Sequence, residues 1–470
     1  MLNEAPEYGA GWYFTAPWDP VLVRRGDALG LRAGADYFAD LLAPGLSNGT
    51  SDARWISLLS WCLKWSHIVW REAGGGDLST RDGQRARYAW LRPLELLWID
   101  RTLEAGQTTG QLRGRRSVER WRKDDRNERE FAMSPDQFRR YRQVGSYGAY
   151  RVMLRALPGL TTGDGWTPAA TAHRLADLAN QSLPPEARLR HEHFENATRW
   201  GHWLGDESRY WTKHGWPNWA SRPETGWLPT PNEAIAQPLP DAERILLEGA
   251  LFANESRRRV TATVLAQARG ATSHPALCEA IAASATLARH VEPASLAPLP
   301  AFTRFADAAM HTMRGLWDDL NSSQITQTPP VQDLAKSTEI RTRLETMRES
   351  ADTWLSESGR STFPHDQVIT QLAEGVRAAS APVQQLRAMI RHHLEHGGGR
   401  RWFTEQEGRL KPLVAHTGIA ASDYRFRLYS LSCLAGQCGV APMDDILDAI
   451  SWNGIGDPLA RDMIEMEEDL

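Results

Sequence analysis

The sequence predicts a mainly α-helical protein built in two parts, with a small β-hairpin near the C-terminal end. Three observations carry this. Apolar residues recur at spacings of three and four in one segment after another. Helix punctuation is frequent: Ser134-Pro135 and Thr167-Pro168 read as a cap followed by Pro at the first helical position, and Gly74-Gly75-Gly76 and Gly397-Gly398-Gly399 read as stops. Runs of alternating apolar and polar residues are scarce, with one exception around Glu407-Gly408.

The elements follow in order. Arg32–Leu42 carries Tyr37, Phe38, Leu41 and Leu42 and is ended by Pro44-Gly45. Ser51 or Asp52 caps the next helix, which runs to about Trp70 and is apolar on nearly every side, as a central buried helix must be. A helix over Gln84–Glu104 is kinked or restarted at Pro93. Pro135–Val144 and Ala169–Leu183 follow their caps. In the second half the pattern gives helices near Asp241–Ala253, Arg257–Ala268, His274–Ala285, Phe302–Leu320, Leu334–Leu355, Gln367–Ala379 and Val383–Glu395. Trp402-Phe403 and Leu410–Leu413 flank Glu407-Gly408 as a hairpin, and Asp423–Cys438 closes the series as a core helix.

Composition divides the chain. Of 20 Trp, 16 lie between Trp12 and Trp227. We therefore expect a Trp-rich helical part at 1–228, a Pro-rich linker at 229–240, a helical bundle at 241–396, and a hairpin-plus-helix subdomain with an acidic tail at 397–470. The 470 residues hold 54 Lys+Arg and 58 Asp+Glu, but the balance is uneven. Arg113–Arg155 has 13 basic and 6 acidic residues, whereas Ala441–Leu470 has 9 acidic residues and one Arg. A basic stretch steers anionic partners. Only five of the basic residues are Lys and none follows a Gly, so the chain has no phosphate-binding loop of the Gly-Lys-Ser/Thr kind. Four scattered Cys do not make a disulfide framework. Met1–Pro6 is too polar to open a signal peptide, and no stretch reaches about 18 apolar residues. The expectation is a bacterial cytoplasmic protein with no membrane contact and no cofactor.

Phe38-Ala39-Asp40-Leu41-Leu42-Ala43-Pro44-Gly45, then Ser47, Thr50 and Ala53-Arg54 before a Trp-rich helix, resembles the start of an uncharacterised bacterial family. Arg400-Arg401-Trp402-Phe403 and Tyr424-Arg425-Phe426-Arg427-Leu428 are compatible with its C-terminal end. The resemblance covers some tens of residues and brings no catalytic residue with it. It implies a setting among anti-phage defence genes, with partners that are other subunits of such a complex, a separate ATPase or nuclease chain among them, and DNA or RNA.

Four constellations could carry chemistry. The basic stretch interleaves cations with aromatics, so Arg115, Arg116, Arg139, Arg140, Arg142 and Arg151 could hold phosphates while Tyr141 and Tyr147 stack on bases. Arg391-His392-x-x-x-His396 resembles the Arg-polar-x-x-x-His motif of HEPN ribonucleases; the resemblance implies that His396 and Arg391 of two protomers meet, His396 acting as acid and base on the ribose 2′-hydroxyl and Arg391 stabilising phosphate. The same residues contain His-x-x-Glu-His, which could place His392 and His396 on zinc with Glu465 as a distant third ligand. Gly45-Leu46-Ser47-Asn48-Gly49 matches a nucleophile-elbow string but lacks a strand before it. The six Trp between Trp200 and Trp227 read as core or interface, and Cys433 and Cys438 as core thiols. The favoured function is non-catalytic: a helical subunit or adaptor of a defence-type complex. The alternatives are a ribonuclease using Arg391 and His396, and a scaffold without nucleic-acid contact.

Overall fold

A computed structural model describes residues 27–104, 112–115, 118–119, 145–162, 164–182, 188, 239–268, 270–271, 273–322, 329–358, 365–397, 401–412, 425–443 and 446. Within them the protein is mainly helical, with one small antiparallel sheet. The expected helix at 135–144, the linker core at 229–238, the Trp200–Trp227 run, Glu465 and the acidic tail lie outside the described residues.

The first group of helices gathers around α2. α1 spans Arg32–Leu42, α2 Arg54–Glu72, α3 Arg81–Glu104, α4 Ser146–Ala156 and α5 Ala170–Gln181. Trp55, Trp61, Trp65 and Trp70 of α2 are all buried, because α3, α4 and α5 pack around it. That is what a helix apolar on every side requires. Asp52 starts α2 by accepting the Arg54 backbone N–H at 2.9 Å. α3 runs through Pro93 without ending. α4 is an element the periodicity did not single out, although Tyr147, Tyr150, Met153 and Leu154 make one buried stripe along it.

The second group continues with α6 Asp241–Leu251, α7 Arg257–Gln267, α8 His274–Ala282, α9 Pro293–Leu296, α10 Leu299–Ser322, α11 Val331–Leu334, α12 Thr338–Ser358, α13 Asp366–Ala378 and α14 Pro382–His396. Ser256 and Ser273 cap α7 and α8 by accepting N–H groups three residues on, at 3.3 and 3.4 Å. The helix expected over Leu334–Leu355 is α12, which starts at Thr338 because the short α11 ends at Leu334. α10 packs on α8, α12 and the sheet, and α12, α13 and α14 stack side by side.

The hairpin pairs β1 Phe403–Gln406 with β2 Arg409–Pro412, Gln406 facing Arg409. Glu407 and Gly408 both take positive φ, +52° and +71°, so this is the mirror-image turn whose twist suits a two-residue hairpin. The other edge of β2 is covered: Leu410 N–H donates to Pro329 O and Val331 N–H to Gly408 O. α15, Leu428–Gln437, packs on α7.

The described residues on the two sides of the linker share one core. Phe38 of α1 meets Phe302 of α10 and Phe426 before α15, with ring centroids 5.2 and 5.7 Å apart. Arg54 of α2 is ion-paired with Glu243 of α6, and both are buried. Thr261 and Arg258 of α7 donate to the carbonyls of Leu42 and Pro44, each at 2.9 Å. Gln437 of α15 accepts from Ala53 N–H and donates to Ser51 O. The change in Trp density therefore marks a change of composition across one continuous core. No helix among the described residues is long and apolar enough to cross a membrane.

Candidate functional site

In the described part of the basic stretch the tyrosines face inward, while Arg113, Arg115 and Arg151 are half-buried and Arg155 is exposed. Tyr147 was expected to stack on bases; its side chain is only 1 % exposed, and this corrects that expectation. Its ring stacks on Trp166 at 4.6 Å and its hydroxyl donates to Gly165 O. Tyr150 is likewise buried, tied by its hydroxyl to Asp52 O at 2.9 Å. Arg115 pairs with Glu119 at 2.6 Å. Arg151 lies over the Trp166 ring, 5.4 Å from its centroid, and burial lowers its pKa. Arg116, Arg139, Arg140, Tyr141 and Arg142 lie outside the described residues.

Below this surface sits a buried cationic layer that sequence reasoning missed. Arg87, fully buried, donates to Leu63 O and Ser66 Oγ at 2.8 and 2.9 Å. Burial brings its pKa down to about 10. Arg92 and Glu95, both fully buried, pair at 2.7 Å, and Glu95 also accepts the Tyr147 N–H at 2.9 Å. Arg87 holds α3 to α2, and Glu95, paired with Arg92, holds it to α4.

α14 brings together the residues that the ribonuclease and zinc readings single out, but sorts them to different sides. Positions five apart on an α-helix differ by about 140° in direction. Arg391 is exposed. His396 is half-buried, its ring 4.5 Å from that of His392, and its backbone lies against Gly30. Within one chain Arg391 and His396 therefore do not converge. His392 is buried and its Nε2 is hydrogen-bonded to Leu29 O at 2.9 Å, which takes that nitrogen out of use as a zinc ligand. Among the described residues no group of three or more His, Cys, Asp and Glu is arranged to hold a metal.

His393 is the joint of the region. Its Nδ1 donates to Ala28 O at 2.6 Å, and its Nε2 accepts the Trp402 N–H at 3.1 Å. One donor and one acceptor require the neutral ring with its proton on Nδ1. Burial lowers the pKa of His393 itself and that of His392, the latter to about 4. Two glycines make the close approach possible. A Cβ on Gly397 would meet His393 O at 2.4 Å, and one on Gly30, at φ +71°, would meet His396 O at 2.9 Å. The result ties three segments, the 27–30 turn, α14 and the hairpin, to one imidazole.

The opposite side of α14 forms an open groove of about 350 Å³ lined by Arg387, Arg391, Leu394, Glu395, Arg401 and Glu405. Arg387, Arg391, Glu395, Arg401 and Glu405 are all exposed. Arg401 donates to Leu394 O at 3.0 Å, satisfying one of the last carbonyls of α14 and fixing one wall. Arg387 and Arg391 form no ion pair among the described residues. Sequence reasoning named Arg391 for its place in the 391–396 string; the groove sets it beside Arg387, Arg401 and Glu405 instead of His396. The four-residue spacing of Arg387, Arg391 and Glu395 was the available sign; the nearness of the hairpin was not.

Two nucleophile candidates are accounted for by packing. Ser47 donates to Ala149 O at 3.0 Å within the turn between α1 and α2. Cys278 Sγ lies 3.7 Å from His274 Nε2, whose Nδ1 is 3.0 Å from Asp307 Oδ2. That is the order of a catalytic triad, but Cys278 is fully buried, Phe426 packs on the imidazole, and burial pushes the thiol up to about 12. It is a protonated core group. No family model, curated protein or solved structure matches the chain.

Proposed function

We propose that this chain is a non-catalytic helical adaptor, a cytoplasmic subunit of a bacterial defence-type assembly, that docks on partner proteins through the groove between α14 and the hairpin. Catalysis, by an ATPase or a nuclease, belongs to a separate chain of the assembly. The observation supporting this reading is the groove itself: exposed arginines without ion pairs among the described residues, on a helix held from behind by His393. A surface prepared in this way loses little freedom when a partner lands. Tyr147 and Tyr150 are spent on packing, so neither supports base stacking by the described part of Arg113–Arg155.

The test is co-expression with the products of neighbouring genes. The wild-type chain is expected to co-purify with one of them, and Arg387→Glu with Arg391→Glu is expected to abolish this while the melting temperature stays unchanged. Assembly that ignores both substitutions sinks the proposal. RNA cleavage that disappears in His396→Ala would instead establish the ribonuclease.

A further inference from the structure

We infer that the groove takes a net acidic protein segment, acidic at one end and basic at the other, with carboxylates against Arg387 and Arg391 and a cation against Glu395. The inference rests on the adaptor reading of the same groove and specifies its partner. The lining carries three arginines and two glutamates, a net of +1. A nucleic-acid strand presents phosphates without interruption, so it would set negative charge against Glu395 and Glu405 as well as against the arginines. A polypeptide can change sign along its length and satisfy both.

The geometry is that of a stripe. Arg387, Arg391 and Glu395 follow at four-residue intervals on α14, which places them on one face over about 12 Å. Like charges at that spacing repel each other weakly. A partner carboxylate between Arg387 and Arg391 removes the repulsion and accepts forked hydrogen bonds from guanidinium groups, which are planar and always charged. Arg401 faces the stripe from the hairpin, held by Leu394 O, and Glu405 stands on β1 beside it. The half-buried Leu394 gives the floor an apolar contact. The site matches a helix or extended segment about two turns long, acidic at one end and basic at the other.

The probe is a fluorescent alanine-based helical peptide with Glu, Glu and Lys at successive four-residue intervals. It is compared by anisotropy with its charge-scrambled isomer, with oligo(dT) and with oligo(U), all on the full chain. The patterned peptide is expected to bind about tenfold more tightly than the scrambled one, a difference of about 1.4 kcal/mol. Arg391→Glu is expected to lose about tenfold for that peptide, and a peptide with Lys in place of the second Glu to recover the loss. Equal binding of the two peptides, or oligonucleotides binding more tightly than either with a steep salt dependence, overturns the inference. If the peptide arm fails while Arg387→Glu with Arg391→Glu still breaks the native assembly, the acidic segment is wrong and the adaptor reading stands. If the native assembly ignores the substitutions as well, both fall.

Discussion

On the inner sides of α2 and α3 three arginines, Arg54, Arg87 and Arg92, are buried, and aromatic rings lie against Arg87 and Arg92. Arg87 and Arg92 are fully buried, Arg92 lies 3.8 Å from the centroid of the Tyr88 ring, and Glu95 completes the layer. At α14 the arrangement is inverted. The interior side holds neutral histidines bonded to backbone, and the arginines stand outside without ion pairs among the described residues. A buried guanidinium must be matched by acceptors, so it is already committed. An exposed one on a fixed helix is free to meet something else. Charge density along the sequence does not separate these cases: Arg113–Arg155 has the larger excess, yet its described tyrosines are core residues and Arg115 and Arg151 are engaged with Glu119 and Trp166.

The largest expected effect breaks the first region. Arg92→Met leaves Glu95 buried without its cation, and should cost about 3–5 kcal/mol in a denaturant titration. Adding Glu95→Gln removes the stranded charge while keeping an acceptor for the Tyr147 N–H, and should recover part of the loss. If the single substitution costs less than about 1 kcal/mol, the pair is not the closed layer described here.

Acid should act on histidines of both regions. His67 on α2 and His392 on α14 both have pKa values lowered to about 4, chiefly by burial, and burial lowers His173, His274, His311 and His393 too. Each is neutral when folded and binds a proton more readily when unfolded, so unfolding takes up protons between the ordinary value of 6.5 and about 4. Their contribution is complete above 6.5 and is lost as the pH falls toward 4. At His393 the added proton would aim a donor at the Trp402 N–H and loosen the hairpin. Melting temperatures measured from neutral to acid pH should fall across that window, less steeply in His393→Gln; a flat profile contradicts the burial of these rings.

The fold was largely legible before the structure because helices announce themselves locally. The stripes in α1, α10 and α14 and the Ser273 cap of α8 need only neighbours along the chain. α4 was missed because Tyr147-Gly148-Ala149-Tyr150 reads as an exposed aromatic–glycine patch until Trp166 and Asp52 are brought against it from elsewhere in the chain. The site was less legible for the same reason. Arg391 was in view, but Arg401 reaches it through the hairpin, and the string at 391–396 suggested a pairing that helix geometry rules out within one chain. Pairings made by tertiary contact leave no periodic trace.

A smaller effect separates packing from binding at Tyr147. Tyr147→Phe keeps the ring on Trp166 and removes the hydrogen bond to Gly165 O. It should cost about 0.5–1.5 kcal/mol by chemical denaturation and leave retention on immobilised oligonucleotides unchanged. Weakened retention at full stability would return this tyrosine to a binding role.

The smallest expected effect on stability is the one that sharpens the comparison most. Arg391→Ala removes an exposed side chain that forms no ion pair among the described residues, so its denaturation midpoint should move by no more than about 0.5 kcal/mol. Losing its repulsion from Arg387 could even raise stability slightly. A committed arginine behaves otherwise: truncating Arg87 strands the contacts to Ser66 Oγ and Leu63 O inside the core. Measured side by side, Arg87→Ala and Arg391→Ala should differ by several-fold in their cost. If Arg391→Ala costs as much as Arg87→Ala, the guanidinium on α14 is part of the packing, and the groove loses the cation on which its recognition of an acidic segment depends.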